Sequence, residues 1–144
     1  VTSSRGRDLA AWVGSQAAAL VTSRGLDAIV PVPIHRSRRL ERGFNQAELI
    51  AVGVSQGLGL PIRSFLSRAR PSMSQTSKTS RTRRLLAPGT FRACGNVTGL
   101  RVLLVDDVVT TGTTLNSAAK ALIEAGAASV HGLAVAVSRR PGSP

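Results

Sequence analysis

In RVLLVDDVVTTGTTL, residues 101–115, an apolar run leads into two adjacent aspartates, and four threonines and a glycine follow directly. The chain has only seven carboxylates, so the pairing of Asp106 with Asp107 asks for a chemical reason. An ionised aspartate only accepts hydrogen bonds; it repels a phosphate and suits sugar hydroxyls. The residues behind it have the opposite character. Thr110, Thr111, Thr113 and Thr114 carry hydroxyl donors, and Gly112 lets the backbone approach a ligand closely. If a helix begins here, its first N–H groups and its dipole add an anion cradle. Carboxylates before the loop and donors within it describe a ribose 5-phosphate. The plainer alternative for the pair is a capping or turn role for the following helix.

Those residues need elements to hold them. Val102–Val105 reads as a continuous apolar strand that Asp106 and Asp107 leave. Thr113–Ala125 reads as a helix with Leu115, Ala118, Leu122 and Ala119 inward, ended by Gly126, and Val130–Val137 as a last apolar strand. Upstream, RDLAAWVGSQAAALV has a helical period, with Leu9, Trp12, Val13, Ala17, Leu20 and Val21 as one apolar stripe and Trp12 in the core. Ala28–Val32 is a short buried strand stopped by prolines, delivering the loop IHRSRRLERG. Asn45 caps a second helix packed through Ala47, Ile50, Ala51 and Val54 and closed by GLGLP, and a short strand is expected over residues 62–68. Residues 71–88, PSMSQTSKTSRTRRLLAP, show no apolar period and suit a mobile lid. The expected fold class is α/β: one domain over residues 1–144, with a parallel sheet of about four or five strands flanked by helices. In such sheets ligands bind at the carboxyl ends of the strands, where the aspartates fall.

Charge narrows the ligand class. The net charge is +12, and no carboxylate lies between Glu48 and Asp106, where nine Arg or Lys occur. HRSRRLER adds Arg36, Arg38, Arg39 and Arg42. Such a field draws polyanions: a pyrophosphate, a nucleotide or a nucleic-acid backbone. Aromatics are few and scattered, so a base-stacking platform finds little support. No apolar run approaches the ~20 residues of a membrane span, so no membrane partner is expected. The single cysteine, Cys94, permits no internal disulfide and no metal cluster, and fits a cytoplasmic setting.

Three other site readings fail on the residues. A Walker-type nucleotide hydrolase needs a GxxxxGK[ST] loop, which this sequence lacks. A receiver domain needs a later phosphate-accepting aspartate, and none follows Asp107. GVSQG, residues 53–57, satisfies G-x-S-x-G, and Ser55, Asp106 or Asp107, and His131 fall in hydrolase order, but Ser55 sits late in a helical stretch rather than after a strand. His35, beside the arginine loop, is equally a phosphate donor or an exposed loop residue; His131 reads as structural and Cys94 as inert.

VLLVDDVVTTGTT, residues 102–114, resembles the phosphoribosyl-pyrophosphate motif of type I phosphoribosyltransferases. A narrower resemblance, to the ComF family, is carried by PVPIHRSRRLERGFNQAELIA at 31–51, by GRDLA near the start, and by Gln75 followed by the Arg81–Arg84 cluster. The resemblance implies a type I phosphoribosyltransferase-like fold. It implies that Asp106 and Asp107 contact the ribose 2- and 3-hydroxyls and that Thr110–Thr114, Gly112 included, cradle the 5-phosphate. Arg36, Arg39 and Arg42, with Arg81, Arg83 and Arg84 of the lid, would face the pyrophosphate. Mg would bind through the ligand rather than through protein ligands. The implied activity is transfer of the 5-phosphoribosyl group to an unidentified acceptor. The alternative is a non-catalytic, ligand-sensing factor that handles single-stranded DNA in natural competence. Many family members carry an N-terminal zinc-binding segment; with one cysteine this sequence contains none, so such a segment lies upstream of Val1 or is lacking. Oligomeric state is left open, a dimer being compatible with the fold.

Overall fold

The computed structural model of the chain describes residues 4–22, 25–34, 44–68 and 90–138. In chain order these form α1 (Ser4–Ala18), β1 (Ala28–Pro31), α2 (Gln46–Leu58), β2 (Leu66–Arg68), β3 (Phe91–Ala93), β4 (Arg101–Val109), α3 (Thr113–Glu124) and β5 (Ser129–Val137). The apolar runs become a parallel sheet in the order β1-β4-β5. Ala28 pairs with Val102 on one side of β4, and Arg101 with Ser129 on the other. Among the described residues this sheet has three strands rather than the expected four or five. The short strand over 62–68 joins β3 instead, in a separate antiparallel pair with Leu66 opposite Ala93.

Alternation along the central strand divides the core in two. Val102 and Leu104 enter a cluster with Val30, Val32, Leu66, Phe91, Val97, Ala118 and Leu122. Leu103 and Val105 enter the opposite one, with Ala18, Ile29, Ile50, Ala51 and Val54. The β2–β3 pair and α3 therefore cover one face of the sheet, and α1 with α2 the other. The expected inward residues of α2 and α3 are buried: Ala47, Ile50, Ala51 and Val54 in the first, Ala118 and Leu122 in the second.

Only part of the stripe expected on α1 turns inward: Val21, just past the helix, packs against the core, and Val13 and Ala17 are half-buried. Leu9, Trp12 and Leu20 are 60%, 59% and 87% exposed, and Trp12 lies outside the core. The face that turns inward is made of small residues: Gly14 and Ala18 are buried, and Ala10 is partly so. The reason lies in two glycines. A Cβ at Gly14 would stand 2.1 Å from the Ile50 carbonyl oxygen, and one at Gly53 would stand 1.9 Å from that of Ala11. Backbone touches backbone across the α1–α2 seam. Two helices this close leave no room for Trp12 between them, and close backbone packing replaces large side chains.

Candidate functional site

β4 continues past Val105 to Val109, because β5 keeps pairing with it: Asp106 lies opposite Ala134 and Val108 opposite Ala136. The aspartates therefore sit within the strand, not beyond its end as the apolar run suggested. Position in a pleat sets direction. Asp106 follows Val102 and Leu104 onto the α3 face and is 9% exposed, while Asp107 is half-buried. Each carboxylate accepts a hydrogen bond from the next backbone N–H: Asp107 N–H donates to Asp106 Oδ1 at 2.8 Å, and Val108 N–H to Asp107 Oδ1 at 2.9 Å.

Burial pushes the Asp106 carboxyl up to about 6, with help from a carboxyl–carboxyl hydrogen bond to Asp107 and from the Asp107 charge. The Asp107 backbone N–H and the Arg68 guanidinium act in the opposite direction. Asp106 thus changes charge near neutral pH. That is the behaviour of a group held for binding or chemistry more often than for stability.

Asp106 lines a crevice with Val108, Val109, Thr110, Gly112, Thr114 and Leu115. Gly112 has φ 80° and stands at the N-cap of α3, where no side chain caps the helix. A left-handed backbone there favours glycine, and the first N–H groups of α3 keep no side-chain partner at the cap. Thr111 and Thr113 are not among the lining residues, and their hydroxyls meet each other at 2.9 Å. The structure thus brings Asp106, Thr110, Gly112 and Thr114 together around one crevice; Asp107, Thr111 and Thr113 adjoin it. Arg36, Arg39, Arg42, Arg81, Arg83 and Arg84, the lid at 71–88 and His35 lie outside the described residues.

Two residues tie this crevice to the rest of the fold. Asn45 is 3% exposed; its Oδ1 accepts from the Ala47 N–H at 3.0 Å and its Nδ2 donates to the Val32 carbonyl at 3.0 Å. Val32 N–H in turn donates to the Val105 carbonyl at 2.8 Å, one residue before Asp106. The expected N-cap is therefore also a clasp between α2 and the ends of β1 and β4. Arg68 had no place in the expected site. It closes β2, its guanidinium lies 5.3 Å from the Phe91 ring centre, and its charge acts on Asp106. Its signal in the sequence was faint: one arginine among several at the start of the basic segment.

The rejected readings fare as the residues implied. Ser55 lies in α2 and donates to the Leu60 carbonyl at 2.6 Å, which engages the proton a nucleophile would give up. His131 is an exposed residue of β5, and Cys94 is exposed, with its Sγ 3.5 Å from the Ser64 carbonyl oxygen. Among the described residues no group of three or more His, Cys, Asp or Glu could hold a metal ion. A carboxylate pair beside an anion cradle does suit Mg, which binds through one or two carboxylates plus ligand phosphates. No helix among the described residues is long and apolar enough to cross a membrane.

Comparison with known proteins matches this geometry to a family. Residues 45–143 match the model of the phosphoribosyl transferase domain. The chain is 38% identical over 106 residues to the DNA utilization protein YhgH of Salmonella typhi, covering 73% of this chain and 47% of that protein. It is 38% identical over 101 residues to competence protein ComFC of Bacillus subtilis, covering 69% of this chain and 40% of that one. The chain thus spans less than half the length of these relatives. Among solved structures it resembles the glutamine phosphoribosylpyrophosphate amidotransferase of B. subtilis, with a TM-score of 0.62 and 25% identity over 88% of this chain and 26% of that one. The central parallel sheet, the crevice at the head of α3 and these relatives agree: the chain belongs to the ComF/YhgH-like family, within the type I phosphoribosyltransferase superfamily.

Proposed function

We propose that this domain binds phosphoribosyl pyrophosphate, with Mg, at the head of α3, and that it does so as part of a protein that handles single-stranded DNA. The observation that carries the ligand is the meeting of Asp106 with the side-chain-free N-cap at Gly112 in one crevice. Carboxylate oxygens suit ribose hydroxyls, and the α3 N–H groups with Thr110 and Thr114 suit the 5-phosphate. Asp107 and the Thr111–Thr113 pair complete the cradle. Mg, when bound, neutralises charge on the pyrophosphate. The DNA role is supported by relatives named for competence and DNA utilization, and by the +12 charge.

A second reading, transfer of the phosphoribosyl group to an acceptor, is favoured by the family's own chemistry and by one feature of the site. Departure of pyrophosphate leaves positive charge on the ribose, and a buried carboxylate with a cradled phosphate is a preorganised field for it. Arg36, Arg39, Arg42, Arg81, Arg83 and Arg84 are then the side chains proposed for the leaving group.

Calorimetric titration of phosphoribosyl pyrophosphate with Mg tests the site. Binding by the natural chain and its loss in an Asp106→Asn, Asp107→Asn double variant that keeps its fold are expected; unchanged affinity would refute the assignment. A salt-sensitive gel shift with single-stranded DNA, weakened in an Arg81/Arg83/Arg84→Ala variant, is expected for the DNA role, and no shift at low salt would sink it. Pyrophosphate release in an acceptor screen separates transfer from binding alone.

A further inference from the structure

β5 is an edge of the sheet: β4 pairs with one side of it, and among the described residues no strand pairs with the other. Free edges are usually blunted by a charge, a proline or a bulge that keeps other chains from pairing there. β5 reads SVHGLAVAV, nine residues without lysine, arginine, carboxylate or proline, in a chain of net charge +12. Its two ends fix which way its polar groups point. The N–H groups of Ala128, just before it, and Ser138, just after it, donate to the carbonyls of Leu100 and Val109 at 2.8 and 2.9 Å, on the β4 side. Backbone groups alternate in side along a strand, so His131, Leu133, Val135 and Val137 aim theirs away from β4.

An apolar surface continues from this edge. Leu133 packs on the α1–α2 side of the sheet, and by the pleat Val135 and Val137 lie on that side too, 39% and 72% exposed. α2 covers β1 and β4, while α1 reaches β5. Ala11, Gly14 and Ala18 turn toward α2, so the helical period puts Leu9 and Val13 on the flank turned away from it, with Leu20 in the turn that follows. Exposed leucines of α1 and the open strand therefore share one side of the molecule. A second copy of the chain fits that side. A two-fold axis at Leu133 sets Leu133 opposite itself, His131 opposite Val135 and Gly132 opposite Ala134. No like charges meet, as they would if β4, with Arg101, Asp106 and Asp107, were paired with itself. Outward groups of His131, Leu133 and Val135 then find partners in hydrogen-bonded pairs. Both α1 helices fall on the same face of the joined sheet, and their leucine flanks meet over the seam. A stable dimer buries about 800 Å² on each partner. One strand edge falls short of that, and the α1 flank extends it.

We propose that the chain forms a two-fold dimer through β5, whose antiparallel pairing with its own copy joins two three-stranded sheets into one and covers the leucine flank of α1. The surface is independent of the ligand reading above. It gives the exposed part of the α1 stripe a reason: an apolar face with helical period that the single chain leaves bare is the face a second copy covers. Nucleic acid has no comparable fit there, since β5 offers a phosphate no cation.

The test is analytical sedimentation together with amide hydrogen exchange read residue by residue. The natural chain is expected at twice the mass of one chain, with the outward N–H groups of His131, Leu133 and Val135 protected as well as the inward ones. Val135→Pro removes one outward N–H and leaves the ladder to β4 whole, so it should weaken the dimer by about a hundredfold while each chain keeps its fold. Leu9→Glu with Leu20→Glu acts on the α1 flank instead and should weaken it similarly; this double variant carries the test if Val135→Pro fails to fold. In it the outward amides should exchange rapidly and the inward ones stay protected. Added salt should hold or tighten the dimer, because two chains of charge +12 repel each other. A single-chain mass at every concentration up to about 100 µM would overturn the proposal and leave the edge to a different chain. So would a dimer that salt dissolves, that survives both variants, or whose outward amides exchange freely, since each places the contact on another surface.

Discussion

The two faces of the β1-β4-β5 sheet are closed by different means. On one, α1 and α2 meet through glycines so closely that main-chain atoms touch, and the large side chains of Leu9 and Trp12 on α1 are left outside. On the other, Phe91, Leu66, Ala118 and Leu122 fill an ordinary side-chain core under β2–β3 and α3. The first face is a close-packed backing, and among the described residues neither α1 nor α2 contributes to the crevice. The second stops short of the strand end and leaves Asp106, Thr110, Gly112 and Thr114 around an opening. One side of a central strand can thus be held stiff by backbone contact while the other carries a site that costs stability.

The largest effect should come from breaking the stiff side. Gly53→Ala would place a Cβ 1.9 Å from the Ala11 carbonyl oxygen and 2.7 Å from the Ser15 nitrogen, both main-chain atoms. Neither can rotate away, so α1 must lift from α2. We expect a loss of about 3 kcal/mol or more in urea unfolding. A loss under about 1 kcal/mol would mean the seam parts readily and that the contrast between the faces is overdrawn.

Next comes the clasp at the boundary of the two sides. Asn45→Ala removes the cap on Ala47 and leaves the Val32 carbonyl without its side-chain donor. The expected cost is about 2 kcal/mol. Asn45→Asp keeps the acceptor and loses the donor, so it should fall between Asn45→Ala and the natural chain. Equal costs for the two would show that capping is minor and the link to β1 carries the effect.

The third effect has the opposite sign. The folded-state pKa of Asp106 is raised from 3.8 to about 6, so between those values the folded chain binds the proton more tightly than the unfolded chain. Its contribution to stability is therefore full below the lower value and is lost as pH rises through the upper one. At pH 7 the ionised carboxylate works against the fold. Asp106→Asn should raise stability there by about 1–2 kcal/mol after allowance for solvent screening, while removing ligand binding. The gain should vanish below about pH 4. Stability curves for the two proteins that run parallel from pH 4 to 8 would show that Asp106 is not strained and that the open face carries no stability cost.

Much of the site was legible because its signal is local. The types and order of residues 106–114 define acceptors, then donors, and the flanking apolar runs imply a strand before and a helix after. Asn45 was likewise legible as a cap, since capping acts over two or three residues. Arg68 was not, because its meaning depends on Phe91, which lies across a ladder and 23 residues further along the chain. The stripe on α1 misled for a related reason. Helical period finds an apolar face, but it cannot show that Gly14 and Gly53 will meet.

The sequence by itself determined the parallel α/β pattern, the carboxylate-then-donor order at residues 106–114 and the basic field around it, since these follow from nearest-neighbour propensity, hydrogen-bonding type and charge. Tertiary structure alone decided that β4 runs on through Asp106 and Asp107 to Val109, because pairing with β5 continues there. It also decided that Asp106 enters the α3 crevice, that Arg68 lies over the Phe91 ring, and that Trp12 faces outward. Each of these depends on which distant backbone comes within hydrogen-bonding or contact distance, and no local preference encodes that.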